Sequence, residues 1–544
     1  MNNYYVDPFA ASGGTGSLEA PYKSVTTLIA AGITHPCTIW IKRGTTLVES
    51  ASFGLLLENN SGELSYIRPY GSGRRPKWVK PSVSSSHITT TGTRNLIITG
   101  LDFLIDDDSL TPNNGGGFVN LVLRNTTSAD IDSNVWIEDC RFKGGALTRS
   151  GIYGGNKTVY IRADNANTKR VNKFGVRDCK FKNLSRGVQL QGIDIADDNT
   201  DNRTGTYYSR GVKVERCSFV GMSHGAVCFV CVESKNSAYT DDEYQSVARK
   251  CTYSSYRWDR YDGTAIRVDA AFWTYHCNRV MFERLIGGGM QPTEADSEFI
   301  DFDGLSWDCV ARYIISYNNG AGSLWISTAA QARAAYADYS STYTEFDWFY
   351  TRRNGTGNNV IEYSIFYNDG NQRSDKNGSD ACAYHRVTTY SYNCIVRKCV
   401  HINMTAVSSQ YMLANTLTSS GATLVKLEDC IFFWKYLTST NLVSQNPFTP
   451  STLDIKNCVV YSLAWDSAAI TTVTNYLASI ATLSGMIFNN PQFVSLPTQP
   501  FVSMDSALNL RLKPTSPCIG AGANSSATVD INGNNVRDIF WRAV

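Results

Sequence analysis

Along much of the chain the apolar and polar positions repeat one short phrase. Ile137 to Phe142 read IEDCRF, Val176 to Phe181 VRDCKF, Val214 to Phe219 VERCSF, Val396 to His401 VRKCVH, Leu427 to Phe432 LEDCIF, and Ile455 to Val460 IKNCVV. Looser copies without the cysteine are Ile98 to Phe103, Phe282 to Gly287, Ala311 to Ser316 and Ile361 to Phe366. Apart from one interval, copies follow one another at spacings from 28 residues (Cys430 to Cys458) to 50 (Ile314 to Ser364). The exception is the 68 residues between Cys217 and Leu285, which hold one coil with a large insertion, or two. A fixed phrase at such a period is the mark of a stacked repeat. Within a copy the pattern alternates with period two, as in a strand with one buried face. The additional polar residue before the cysteine breaks the alternation, which predicts a corner between two short strands. One coil per repeat, with strands parallel from coil to coil, makes an all-β parallel β-helix of about ten or more coils.

The pattern predicts three regions. Residues 1–95 form an N-terminal cap and first coils, with a Gly-rich loop from Gly13 to Tyr22 and a short helix from Ser24 that Gly32 ends. Residues 96–465 form the central helix, in which each repeat phrase is followed by a second strand. Residues 466–544 hold the last coils and a closing segment. Two segments, 234–262 and 327–358, read as long aromatic loops. The first carries Tyr239, Tyr244, Tyr253, Tyr256, Trp258 and Tyr261, and both leave the same middle stretch of the solenoid.

Composition narrows the function. The chain has 544 residues, a net charge of +2 and only 18% charged residues, so a nucleic-acid footprint is not expected. No run of about 18 apolar residues is present, so no membrane-spanning helix is expected. The opening MNNYYVDPFA has neither the basic nor the apolar region of a secretory leader. Six of the fifteen cysteines recur at the same inward position of the phrase, which predicts a ladder of free thiols made in a reducing cytoplasm rather than disulfides. The six histidines include no pair at metal-ligand spacing, and neither a metal nor a cofactor is expected.

The densest carboxylate run is Glu294 to Asp303. With Ile300 and Phe302 inward, Asp301 and Asp303 face outward about 7 Å apart along the strand. On the preceding second strand Arg267 and Asp269 face outward as well. Paired carboxylates at such spacings serve glycosidic hydrolysis, and like-charge proximity raises one pKa to make the acid. The candidate catalytic residues are therefore Asp269, Asp301 and Asp303, with Glu298 in reserve. The same residues also read as a cation site or as solvated surface. Arg267, Tyr384, His385 and Arg386 would serve β-elimination on a uronate, or are ordinary strand surface. Arg267, Trp258, Tyr261, Trp325, Tyr384 and His385 are the candidate substrate-binding residues, since Tyr and Trp faces stack on sugar rings.

The opening YYVDP…GGTGSLEAPYKS, then IWIKRGTTL and IRPYGSGRRP, and the closing stretch from Leu510 to Gly522 resemble the right-handed parallel β-helix proteins of the pectate-lyase-like superfamily. That superfamily holds polysaccharide lyases, glycoside hydrolases and bacteriophage tailspike depolymerases. The resemblance implies a depolymerase of a bacterial surface polysaccharide, a homotrimer on the virion tail held by a baseplate or tail protein. Two alternatives remain open: a secreted lyase, and a non-catalytic adhesin or structural spike. The catalytic Lys/Arg and calcium-carboxylate patterns of pectate lyases find no counterpart here, so no catalytic residue follows from the resemblance.

Overall fold

The computed structural model describes residues 1–11, 13–49, 53–56, 62–80, 86–105, 118–125, 129–144, 157–163, 169–184, 186–192, 208–222, 224–255, 270–290, 298–304, 306–326, 356–370, 383–387, 391–405, 410–415, 424–444, 448–493 and 512–517. The chain divides into two compact units, Met1–Arg257 and Trp258–Val544. Both are built from the same coil.

In the first unit one coil runs through Ile131–Glu138 in sheet I, Arg141–Lys143 in sheet II and Lys157–Ala163 in sheet III. It returns to sheet I at Val171–Arg177, and each strand pairs in parallel with its counterpart one coil on. Sheet I extends in this unit from Asn2–Val6 to Val247–Arg249. The second unit repeats the plan, with sheet I running from Met281–Glu283 to Thr482–Ser484. Crossovers between parallel strands are right-handed, and the fold is a right-handed parallel β-helix.

The corner between sheets I and II explains the repeat phrase. Its third residue is left-handed in every cysteine copy: Asp139 has φ 49, Asp178 φ 57, Arg216 φ 52, Lys398 φ 54, Asp429 φ 53 and Asn457 φ 52. A non-glycine residue there costs on the order of 1 kcal/mol. The kink turns the fourth residue inward, where its thiol meets a carbonyl the turn leaves facing the interior. Cys140 Sγ donates to the Glu138 carbonyl at 3.2 Å, Cys399 to Arg397 at 3.2 Å and Cys430 to Glu428 at 3.2 Å. Ser364 does the same with its hydroxyl, to Glu362 at 2.8 Å. The position thus selects a small, weakly donating side chain. Every cysteine among the described residues is free and buried.

Two further ladders follow from the phrase. Its last residue stacks inside the coil: Phe103, Phe142, Phe181 and Phe219 lie 5.1, 4.9 and 4.7 Å apart with nearly parallel rings. Its second residue points outward and alternates in sign. Glu138, Arg177, Glu215 and Arg249 are successive partners in the first unit. In the second unit the order is Glu283, Arg312, Glu362, Arg397, Glu428 and Lys456. Ion pairs join Arg249 to Glu215 at 2.6 Å, Arg312 to Glu283 at 2.8 Å and Arg397 to Glu362 at 2.7 Å.

The structure corrects the loop expected over 234–262. Ala248 to Tyr253 (ARKCTY) is a further copy of the phrase, with Lys250 left-handed at φ 56 and Cys251 and Tyr253 buried. The 68-residue interval therefore holds two coils. Of the two long aromatic segments, residues 256–262 and 327–355 lie outside the described residues.

Helices close local gaps. Helix α1, Val25–Ala31, is capped by Ser24, whose Oγ accepts from Thr27 N at 3.0 Å, and ends at Gly32 with φ 83. Helix α2, Ser467–Ile480, starts at the Asp466 cap and buries Val473, Leu477 and Ile480 on one stripe. In the second unit Phe493 and Leu512 cover a patch formed by Ile315, Tyr367, Val400, Ile402, Ile431, Phe433 and Val459. No helix among the described residues is long and apolar enough to cross a membrane.

Candidate active site

Sheet III of the second unit carries the carboxylate strand, Glu298–Asp303. It pairs with Phe272–Tyr275 on one side and Ala321–Ile326 on the other. Ile300 and Phe302 are fully buried in the interior. The residues between them alternate outward, so Asp301 follows Trp273 in one row and Asp303 follows Tyr275 in the next. Two residues apart on one strand face, the two aspartates are separated by roughly 7 Å at their backbones.

Their surroundings differ in a useful way. Asp303 ends the strand, accepts the Gly304 amide at 2.5 Å through its carboxylate, and offers its carbonyl to the Ser306 hydroxyl at 2.7 Å. Gly304 has φ 60, and a Cβ there would sit 2.8 Å from the Tyr275 ring and 3.2 Å from that of His276. The turn is therefore pressed against the Tyr275–His276 pair, whose rings stack at 4.1 Å. Burial pushes the Asp303 carboxyl up to about 7, partly offset by the Gly304 amide. Asp301 is buried although it faces outward from the coil. Glu298 is fully buried and forms an ion pair with Arg386. It thereby ties its strand to the one two coils on, which fits a structural role better than proton transfer.

Three residues expected to face substrate do not. Trp325, Tyr384 and His385 are fully buried inside the coil. Trp325 continues the inward row of Thr274 and Phe302, and His385 that of Ile300 and Ser323. Tyr384 packs against His401, Phe432 and Trp434. Their polar tips suggested surface, but the interior satisfies part of that polarity. Ser323 Oγ lies 2.6 Å from His385 Nδ1, His385 Nε2 lies 2.8 Å from His401 Nε2, and His401 Nδ1 lies 3.2 Å from the Ile431 carbonyl. The carbonyl only accepts, so His401 carries its proton on Nδ1. His385 then donates from Nε2 and accepts the Ser323 hydroxyl at Nδ1. Burial lowers both imidazoles, His385 to about 3, which keeps the chain neutral.

Asp269, Arg267, Trp258 and Tyr261 lie outside the described residues. Sequence reasoning missed Tyr275 and His276, although His276, left-handed at φ 51, precedes a corner cysteine as the third residue of each phrase does. No group of His, Cys, Asp and Glu able to hold a metal ion occurs among the described residues.

No sequence-family profile matches the chain. No curated protein matches it in sequence. Solved structures do match its fold. The GH136 lacto-N-biosidase from Eubacterium ramulus superposes with a TM-score of 0.52 at 11% identity, covering 74% of this chain. This chain spans 64% of that protein's length. A rhamnogalacturonan lyase matches over 96% of this chain and 95% of its own, with 12% identity and a TM-score of 0.41. Tailspike protein 3 of Bacteriophage CBA120 matches over 90% of this chain and 59% of its own, with 10% identity and a TM-score of 0.33. At these identities the likeness is one of fold, the parallel β-helix.

Proposed function

We propose that this protein is a glycoside hydrolase that depolymerises a bacterial capsular or exopolysaccharide. The observation that carries the reading is the outward pair Asp301 and Asp303, with the Asp303 carboxyl pushed up to about 7 by burial. A carboxyl at that value keeps its proton near neutral pH and can deliver it to a leaving glycosidic oxygen. Asp301 then takes a proton from the water that attacks the anomeric carbon. The C–O bond breaks with the proton from Asp303, a new C–O bond forms to water, and the products are two sugar ends.

The resemblance of the chain's opening to tailspike depolymerases supports placing the enzyme on a phage tail as a homotrimer, attached through a tail or baseplate protein. The test is product chemistry on a panel of bacterial capsular polysaccharides. Hydrolysis releases new reducing ends without the near-ultraviolet absorbance of an unsaturated uronate. Appearance of that absorbance would identify elimination and overturn the assignment of Asp303 as a glycosidic acid.

A further inference from the structure

The first unit contains a cavity of about 510 Å³ that the carboxylate pair does not explain. Its walls come from Asp7 after the first strand, from the Gly-rich loop, including Gly14 and Glu19, and from the outward side chains Lys42 and Tyr70 of the first coils. The volume is that of a small-molecule site.

Backbone hydrogen bonds hold the loop in one shape. Tyr5 N donates to the Gly16 carbonyl at 2.8 Å, Asp7 N to Tyr22 at 2.9 Å, and both Thr15 N and Gly16 N to Ala20 at 2.9 Å. A Cβ on Gly14 would lie 2.0 Å from the Pro21 carbonyl, so only glycine allows this close approach. Asp7 is pinned by the Phe9 amide at 3.0 Å and by Lys42 at 2.5 Å. The Lys42 side chain remains 45% exposed while Asp7 is buried, so its ammonium keeps donors directed to solvent. Tyr70 sits edge-on to Tyr5, with centroids 5.2 Å apart and planes at 82°, while Tyr5 itself stacks on Trp40. Burial, and then Asp7 and Tyr5, push the Tyr70 phenol up to about 12, so it stays a neutral donor.

We propose that this cavity binds one or two rings of a neutral saccharide. A preformed site lined by an ammonium, a carboxylate, a phenol and loop backbone groups offers donors and acceptors for vicinal hydroxyls. The Tyr70 ring adds an apolar face for sugar C–H groups. The lining carries Asp7 and Glu19 against Lys42 alone, so a uronate carboxylate meets net negative charge. The inference draws its choice of ligand class from the proposed carbohydrate function, but its test reads binding and not turnover.

The full-length chain is titrated by calorimetry and saturation-transfer NMR with lactose and nigerose as neutral probes, digalacturonate as the acidic one, and calcium chloride alone. A neutral disaccharide should bind, and Lys42→Met and Tyr70→Ala should each weaken it about tenfold or more. Binding should persist in Asp301→Asn, which separates this site from the proposed catalytic pair. If Lys42→Met strands Asp7 and fails to fold, Glu19→Gln and Tyr70→Phe probe the same walls and should weaken binding too. The proposal is overturned if neither neutral disaccharide binds, if digalacturonate binds as well as they do, if only calcium binds, or if the folded variants bind like the parent.

Discussion

Burial raises the carboxyls of Asp303 and Asp369 alike to about 7. Asp369 is fully buried and accepts the Asn319 amide at 2.9 Å. In the unfolded chain such a group titrates near 3.8. The folded state therefore holds its proton more tightly, and the sign follows directly. The stability each group contributes is complete below about pH 4 and is lost as pH rises to about 7. A difference of about three pK units corresponds to at most about 4 kcal/mol per group. Thermal melts should fall across that window, and Asp369→Asn should flatten part of the fall and raise Tm at pH 8. An unchanged slope in Asp369→Asn would assign the titration elsewhere. The histidine chain offers a second test. His401→Phe would extend the stack between Phe366 and Phe432 but leave the His385 N–H without its acceptor. It should cost about 1–3 kcal/mol in denaturant melts, despite the better apolar match.

At the scale of strands and corners, most of the architecture was readable because one phrase records a complete turn of the coil. The polar residue before the cysteine signalled the corner, and it is the left-handed residue. Ala248 to Tyr253 escaped notice because its first apolar residue is a small alanine and its last a tyrosine, which read as aromatic loop. In the coil the Tyr253 hydroxyl donates to the His224 carbonyl at 3.1 Å, so the ring is a core residue with a satisfied tip. Tyr384 and His385 were misplaced for a related reason: a strand pattern gives alternation, but not the polar partners waiting inside. Asp301 and Asp303 were legible as outward residues because Ile300 and Phe302 set the phase. The near-complete burial of Asp301 is something a strand pattern does not report. The sign alternation at the second position makes a further prediction. Glu362 lies between Arg312 and Arg397, so Glu362→Lys places three cations in one row. Glu362→Gln removes one partner of a half-buried ion pair and should destabilise by about 1–3 kcal/mol, and Glu362→Lys, which adds repulsion to that loss, should cost more. Equal losses in the two variants would show that the alternation contributes no repulsion between misaligned coils.

For the whole molecule, the free thiols and the assembly are open to direct measurement. Buried cysteines such as Cys430 and Cys458, whose thiols burial holds far above their usual value, should resist thiol reagents in the native state and react fully after denaturation. If the chain forms the proposed trimer, light scattering should give about three times the 60.1 kDa chain mass. A clean monomer would favour the secreted-lyase alternative.

The most direct test is the depolymerisation rate of Asp303→Asn and Asp301→Asn on a capsular polysaccharide that the parent protein degrades. Asparagine keeps the shape of each side chain and removes its proton chemistry. Each variant should retain the parent's fold and lose roughly 10²–10⁴-fold in turnover. The parent's rate should itself fall as pH rises through about 7, because Asp303 must be protonated to act. Parental rates in both folded variants would contradict the assignment of this pair as the catalytic acid and base.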